Sequence, residues 1–255
     1  MPALPPAFLT TPIAHRGYHD RAAGRIENSR DAIRAAVSAG YGIEIDIQPS
    51  SDGVAMVFHD DVLDRLTAET GPIRARPAAA LQAMVLKDGP DGIPTLAEVL
   101  ALIGGRVPLL IEIKDQDGAN GPNVGPLEAA VATLLADYTG PVAVMSFNPH
   151  SVAVLATLAP SVPRGLTSCT YPARDWPDIP EEERARLRGI PDYDRVGASF
   201  ISHEAADLAN PRVTALKGQG AAILCWTIRS PAAETEARRI ADNITFERYP
   251  APIPS

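Results

Sequence analysis

The chain has 255 residues, 45% hydrophobic and 21% charged, which allows a substantial core in one large domain or two small ones. Acidic residues outnumber basic ones, 31 to 23, and the net charge of −8 disfavours nucleic acid and anionic membrane surfaces without forbidding a small anion in a local positive pocket. Cys169 and Cys225 have no metal-ligand spacing, the N-terminal stretch does not read as a signal peptide, and no apolar run approaches the roughly 18 residues of a membrane span. A cytoplasmic protein with no nucleic-acid partner and no stable membrane insertion is therefore expected.

The first strand reads over residues 12–15 and ends in His15-Arg16-Gly17. Asn28 stands as an N-cap before SRDAIRAAVSA, and Gly40 closes that helix. The second strand, 43–48, alternates: Ile43, Ile45 and Ile47 share one face, while Glu44 and Asp46 share the other. Asp52-Gly53 is a hairpin turn, and VAMVFHD reads as a returning strand that carries His59 and Asp60. Residues 61–93 form a small insertion. Thr95 and Glu98 have capping-box spacing at the start of PTLAEVLALI.

A third strand over 107–114 repeats the alternation, with Ile111 and Ile113 opposite Glu112 and Lys114. Strands follow at 142–147, 164–167, 198–202, 221–228 and 243–247. Asn148-Pro149, Asn210-Pro211 and Ser230-Pro231 each place a capping residue before a proline at the first helical position. Residues 168–196, rich in proline and charge, read either as a pocket wall or as an exposed loop. Eight strands interleaved with helices predict an α/β fold, a TIM (β/α)8 barrel spanning residues 1–255 as one domain. After the last strand too little sequence is left for a final helix. The N-terminal segment or a partner subunit in a homo-oligomer is expected to cover that gap.

In such a barrel the charged faces of these strands point inward, and their ends converge at one mouth. Buried charges need partners. Glu44 and Asp46 project the same way and Glu112 reaches them from the neighbouring strand, an all-oxygen set that suits Mg²⁺ or Ca²⁺ better than zinc. Arg16 and Lys114 then call for an anion, and a phosphate fits. His15 and His59 have the proton affinity for an acid–base pair in phosphodiester cleavage. His19, His150 and His203 have no comparable company and read as surface or structural.

The ordered set of motifs, AHRG at 14–17, EN at 27–28, EID at 44–46, DG at 52–53, VFHDDVLDRLT at 57–67, PTLAEVL at 94–100 and IEIK at 111–114, resembles the glycerophosphodiester phosphodiesterases. The resemblance implies a metal-dependent hydrolase that releases glycerol 3-phosphate and an alcohol from a small glycerophosphodiester. It implies Glu44, Asp46 and Glu112 as ligands of one divalent cation, His15 and His59 as the acid–base pair, and Arg16 and Lys114 as phosphate contacts. It adds Glu27 as active-site support and Phe147 and Trp226 as pocket aromatics. The final strand departs from the family's Asp-Gly and Thr-Asp pattern, reading DNITFERYPAPIPS. The alternatives are a phospholipase-type enzyme acting on lysophospholipids and a non-catalytic phosphate-binding barrel.

Overall fold

The computed structural model describes residues 2–254. All eight expected barrel strands are present: β1 (Ile13–Ala14), β2 (Gly42–Pro49), β4 (Leu109–Ile113), β5 (Val142–Ser146), β6 (Arg164–Ser168), β7 (Phe200–Glu204), β8 (Ala222–Ile228) and β9 (Asn243–Phe246). They pair in parallel in chain order, and β1 pairs with both β2 and β9, so the sheet closes on itself as a TIM barrel. The additional strand β3 (Ala55–Val57) runs antiparallel to β2 outside that ring.

Alternation along the strands sorts side chains into two cores. Ile43, Ile45, Ile47, Ile111 and Ile113 point outward and pack under the helices α2 (Arg30–Ala39), α4 (Leu96–Ile103) and α5 (Pro126–Leu135). Ile13, Leu110, Ala143, Phe200 and Leu224 point inward and fill the barrel floor. Phe200 lies so close to Gly165 that a Cβ there would sit 2.4 Å from its ring, which leaves glycine as the residue that fits. The charged residues occupy the inward positions nearer the C-terminal mouth.

The helix punctuation holds at Thr95, whose capping box with Glu98 is complete, and at Asn148, Asn210 and Ser230, which cap α6 (Pro149–Leu158), α8 (Pro211–Gly218) and α9 (Pro231–Ala237). It fails at Asn28. Ser29 caps α2 by accepting from the Ala32 N–H, while Asn28 has φ 58° and turns its amide into the barrel. Asparagine tolerates this left-handed conformation better than most residues, so the same chemistry that suggests a cap also serves a tight turn.

Within the chain, the gap after β9 is covered by the C-terminal tail and not by the N-terminal segment. Among the described residues no helix follows β9. Instead the C-terminal tail packs across the opening: Ala251 is buried and accepts from the Tyr41 hydroxyl, and the Tyr249 hydroxyl donates to Glu234. The N-terminal segment does another task. Its short helix α1 (Ala7–Thr10) sends Phe8, with Leu4, into the barrel floor, and Asn243 donates to the carbonyls of Phe8 and Thr11.

Residues 61–93, with helix α3 (Ala78–Ala83), pack a small second core in which Leu63, Leu66, Ile73, Leu81 and Ile93 meet Ile26, Met56 and Phe58. Residues 168–196, including helix α7 (Glu181–Arg188), are a wall: Cys169, Tyr171, Ile179 and Leu187 are buried together beside Phe147, Trp176 and Trp226. Both cysteines are free thiols. Among the described residues no helix is long and apolar enough to cross a membrane.

Candidate active site

A cleft of about 790 Å³ opens at the C-terminal ends of the strands. His15, Arg16, Glu44, Asp46, His59, Glu112, Lys114, Phe147 and Trp226 all line it, so nine of the residues singled out in the sequence share one cavity. Glu27 stands just behind it, bound to Arg16.

Glu44, Asp46 and Glu112 are buried on β2 and β4, where Asp46 is directly opposite Glu112 in the ladder. Each offers an oxygen within 4.8 Å of the others. Lys114 Nζ spans two of them, 2.7 Å from Asp46 and 2.5 Å from Glu112. Arg16 approaches Asp46 with Nε at 3.4 Å, and its own N–H donates to Glu44 at 2.9 Å. That donation is set by the backbone: Arg16 has φ 54°, and Gly17 after it has φ 78° and passes so close to α2 that a Cβ would lie 2.9 Å from that of Ala32.

The electrostatics of this cluster favour a cation. Burial would raise Asp46, but Lys114, His59 and Arg16 outweigh it and hold its carboxyl well below the usual range. Glu44 goes the other way. Burial, then repulsion from Asp46 and Glu112, pushes its carboxyl well above that range. Arg16 and Lys114 therefore do not compensate three ionised carboxylates, and a hard divalent cation, which prefers oxygen ligands, would supply the missing charge if bound there. The donor set fits such an ion.

Each histidine is oriented through Nδ1. His59 returns from β3, whose register sets Val57 against Ile47, and Phe58 N–H donates to the Asp46 carbonyl. Gln48 fastens the turn through Asp61 and the His59 carbonyl. Asp60 lies 2.8 Å from His59 Nδ1. His15 Nδ1 lies 2.9 Å from Glu247, and its Nε2 is 3.9 Å from Glu44. Burial is the main cause that lowers the His15 imidazole to about 4. Glu247 is held well below the carboxylate range: burial opposes this, but the hydrogen bond from His15, with His19 close by, prevails.

Behind these groups runs a chain of ion pairs that the sequence alone did not disclose. Arg65, from the insertion, donates to both Glu27 and Asp60 at 2.6–2.9 Å. Glu27 in turn binds Arg16 at 2.7 Å. Asn28 donates to Asp46 at 2.9 Å. Arg65 and Asn28 lie within quoted motifs, DRLT and EN, so their positions were visible although their partners were not. His19 belongs with this site rather than the surface, with Nε2 3.5 Å from Glu247. Glu247 itself sits at the end of a strand, the one location that marks a candidate in any barrel. His203 is fully buried between Ser168 and Asp207, as a structural residue.

The opposite side of the cleft is aromatic. Phe147 has ring centroids of Trp176 at 4.9 Å and Trp226 at 5.7 Å, and Tyr171 backs Trp176 at 5.0 Å. The cavity thus sets a charged half against an apolar half, an arrangement for a polar reacting group attached to a less polar body.

Comparison with known proteins agrees with this geometry. A sequence profile of the Glycerophosphoryl diester phosphodiesterase family matches residues 15–245. A Bacillus subtilis protein named as a candidate glycerophosphodiester phosphodiesterase is 27% identical over 91% of this chain and 93% of its own. A Caldanaerobacter subterraneus glycerophosphodiester phosphodiesterase is 32% identical over 62% of this chain and 66% of its own. A phosphodiesterase of Oleispira antarctica, solved in complex with the product sn-glycerol-3-phosphate, is 25% identical and superposes with a TM-score of 0.76 over 96% of this chain and 95% of that one. With the profile running from the first histidine of the site into the last strand of the barrel, this chain belongs to the glycerophosphoryl diester phosphodiesterase family of enzymes.

Proposed function

We propose that the protein hydrolyses small glycerophosphodiesters to glycerol 3-phosphate and an alcohol, using His15 and His59 as the acid–base pair and one divalent cation, Mg²⁺ or Ca²⁺. The observation that carries this reading is the buried carboxylate triad Glu44, Asp46 and Glu112 lying in one cleft with two histidines, each oriented by its own carboxylate. Membership of the family and the glycerol 3-phosphate bound to the Oleispira antarctica enzyme support the reaction class.

The three carboxylates hold the cation, which when bound supplies positive charge to the phosphoryl oxygens as the transition state forms. Arg16 adds a second source of charge. Its guanidinium lines the cleft and is a cationic donor for a phosphoryl oxygen. Lys114 contributes a further ammonium beside the same site. One histidine accepts the proton of the attacking hydroxyl as its oxygen bonds to phosphorus. The bond from phosphorus to the alcohol oxygen breaks, its electron pair stays on that oxygen, and the other histidine delivers a proton there. Water as nucleophile gives glycerol 3-phosphate directly. The substrate's neighbouring hydroxyl gives a cyclic phosphate, which water then opens with the same two groups. The aromatic half of the cleft, Phe147, Trp176 and Trp226, excludes water from one side and packs the carbon skeleton.

Phosphorus NMR of glycerophosphocholine incubated with the protein and Mg²⁺ or Ca²⁺ tests the reading. The diester resonance is expected to convert to that of glycerol 3-phosphate. Folded protein that leaves the diester unchanged with both metals would sink the proposal.

A further inference from the structure

Glu247 leaves β9 at the barrel mouth with both carboxylate oxygens engaged. Oε2 lies 2.9 Å from His15 Nδ1 and 3.5 Å from His19 Nε2. Oε1 lies 2.6 Å from Arg229 Nε and 3.3 Å from Arg248 Nε. The Glu247 side chain is only 8% exposed. This contact follows from the sheet. Parallel pairing sets Ile13 against Thr245 and Ala14 against Phe246, so the next residue out on each strand, His15 and Glu247, must meet. The His15 N–H donates to the Phe246 carbonyl, and the Glu247 N–H donates to the Ile228 carbonyl, which fixes Glu247 beside Arg229.

Two histidines and a carboxylate are also a ligand set for a transition metal. Charge argues against that use here. Arg229 and Arg248 already bring two permanent positive charges to the one carboxylate, and a divalent ion would be repelled by both. We infer that Glu247 is a positioning residue for His15: it accepts the Nδ1 proton and so fixes the imidazole as the tautomer whose Nε2 lone pair faces the cleft, while Arg229 holds the carboxylate in place. A neutral imidazole has one donor and one acceptor nitrogen, and which is which is set by the partner of the other. Removing the carboxylate frees the ring to rotate and to carry its proton on Nε2, where it cannot accept one.

The catalytic consequence rests on the proposed hydrolysis; the tautomer does not. Both are read in one experiment on Glu247→Gln, Glu247→Asp and the parent, with histidine labelled by ¹⁵N and with steady-state kinetics on glycerophosphocholine. In the parent, His15 is expected to show a protonated Nδ1 and an unprotonated Nε2, and Glu247→Gln is expected to lose that preference. Its kcat is expected to fall at least about 100-fold with KM within about threefold, the pattern of a lost transition-state group. Glu247→Asp, which keeps the acceptor, is expected to recover at least about a tenth of the parental kcat, a rescue that a merely structural role would not require. A His15 proton on Nε2 in the parent, or an unchanged tautomer and kcat in Glu247→Gln, would overturn the inference, as would Zn²⁺ bound at His15 and His19 and lost with Glu247. If the parent shows the Nδ1 proton but no turnover, the hydrolytic reading fails and the positioning of His15 stands.

Discussion

Replacing Arg65 with methionine separates the two halves of the ion-pair chain without touching the cleft. Arg65 binds Glu27 and Asp60, and Glu27 is held down at about 2 although burial opposes this, chiefly by the hydrogen bond from Arg65 and the charge of Arg16. A carboxyl at its ordinary 4.5 when unfolded and at about 2 when folded favours the folded state above pH 4.5, and that contribution is lost as the pH falls towards 2. At 1.36 kcal/mol per pH unit its ceiling is about 3 kcal/mol. Arg65 is 46% exposed, so solvent screens its share, and about 1 kcal/mol is a realistic figure for what the variant loses at neutral pH. Asp60 is shifted the same way, again against burial, by His59 and Arg65. Urea unfolding at pH 7 and at about pH 1.5 is the assay, since the Glu27 contribution is fully lost only as the pH passes below about 2. The parent should lose stability on acidification, and Arg65→Met should lose about 1 kcal/mol less over that interval because it starts lower at pH 7. Parallel pH dependences in the two proteins would refute the assignment. The variant should also lose about tenfold or more in kcat, since Arg16 and His59 both lose a support.

Glu44→Gln should reduce metal-dependent turnover by more than about 1,000-fold, because a ligand of the proposed cation is gone. Its melting temperature without metal should equal or exceed that of the parent, because a buried carboxyl repelled by Asp46 and Glu112 has been neutralised. Asn28→Ala should cost about 1–3 kcal/mol in denaturant unfolding, from the lost bond to Asp46 and the left-handed backbone. Phe8→Ala should cost about 3–5 kcal/mol by opening the barrel floor, read in the same assay, with the cleft residues unchanged in place. Phe147→Ala should raise KM for glycerophosphocholine several-fold while kcat changes less.

The barrel was legible because its strands alternate cleanly. Once Ile43, Ile45 and Ile47 face outward, Glu44 and Asp46 have nowhere to go but the interior, and the same logic places Glu112 and Lys114. Caps formed of Asn-Pro and Ser-Pro pairs are local, so they too could be read directly. What escaped was whatever depends on long-range register. Glu247 meets His15 across 232 positions of sequence, and only the closing of β9 on β1 brings them together. Arg65 is an exposed arginine in a loop, with nothing local to mark its two carboxylate partners. Asn28 and Ser29 are neighbours with equal capping chemistry, and the choice between them is made by Asp46, on another element. The tail after β9 has no periodicity at all. Its packing through Tyr41 and Ala251 is a property of the finished barrel rather than of the segment.

The most direct test of the central claim is metal rescue of glycerol 3-phosphate release. The parent and Glu44→Gln are stripped with chelator, checked for folding, and then supplied with Mg²⁺ or Ca²⁺ in the presence of glycerophosphocholine. Chelation should abolish release, and one of the two metals should restore it in the parent but not in the variant. Full activity in the chelated parent, or equal rescue of both proteins, would contradict a cation held by Glu44, Asp46 and Glu112.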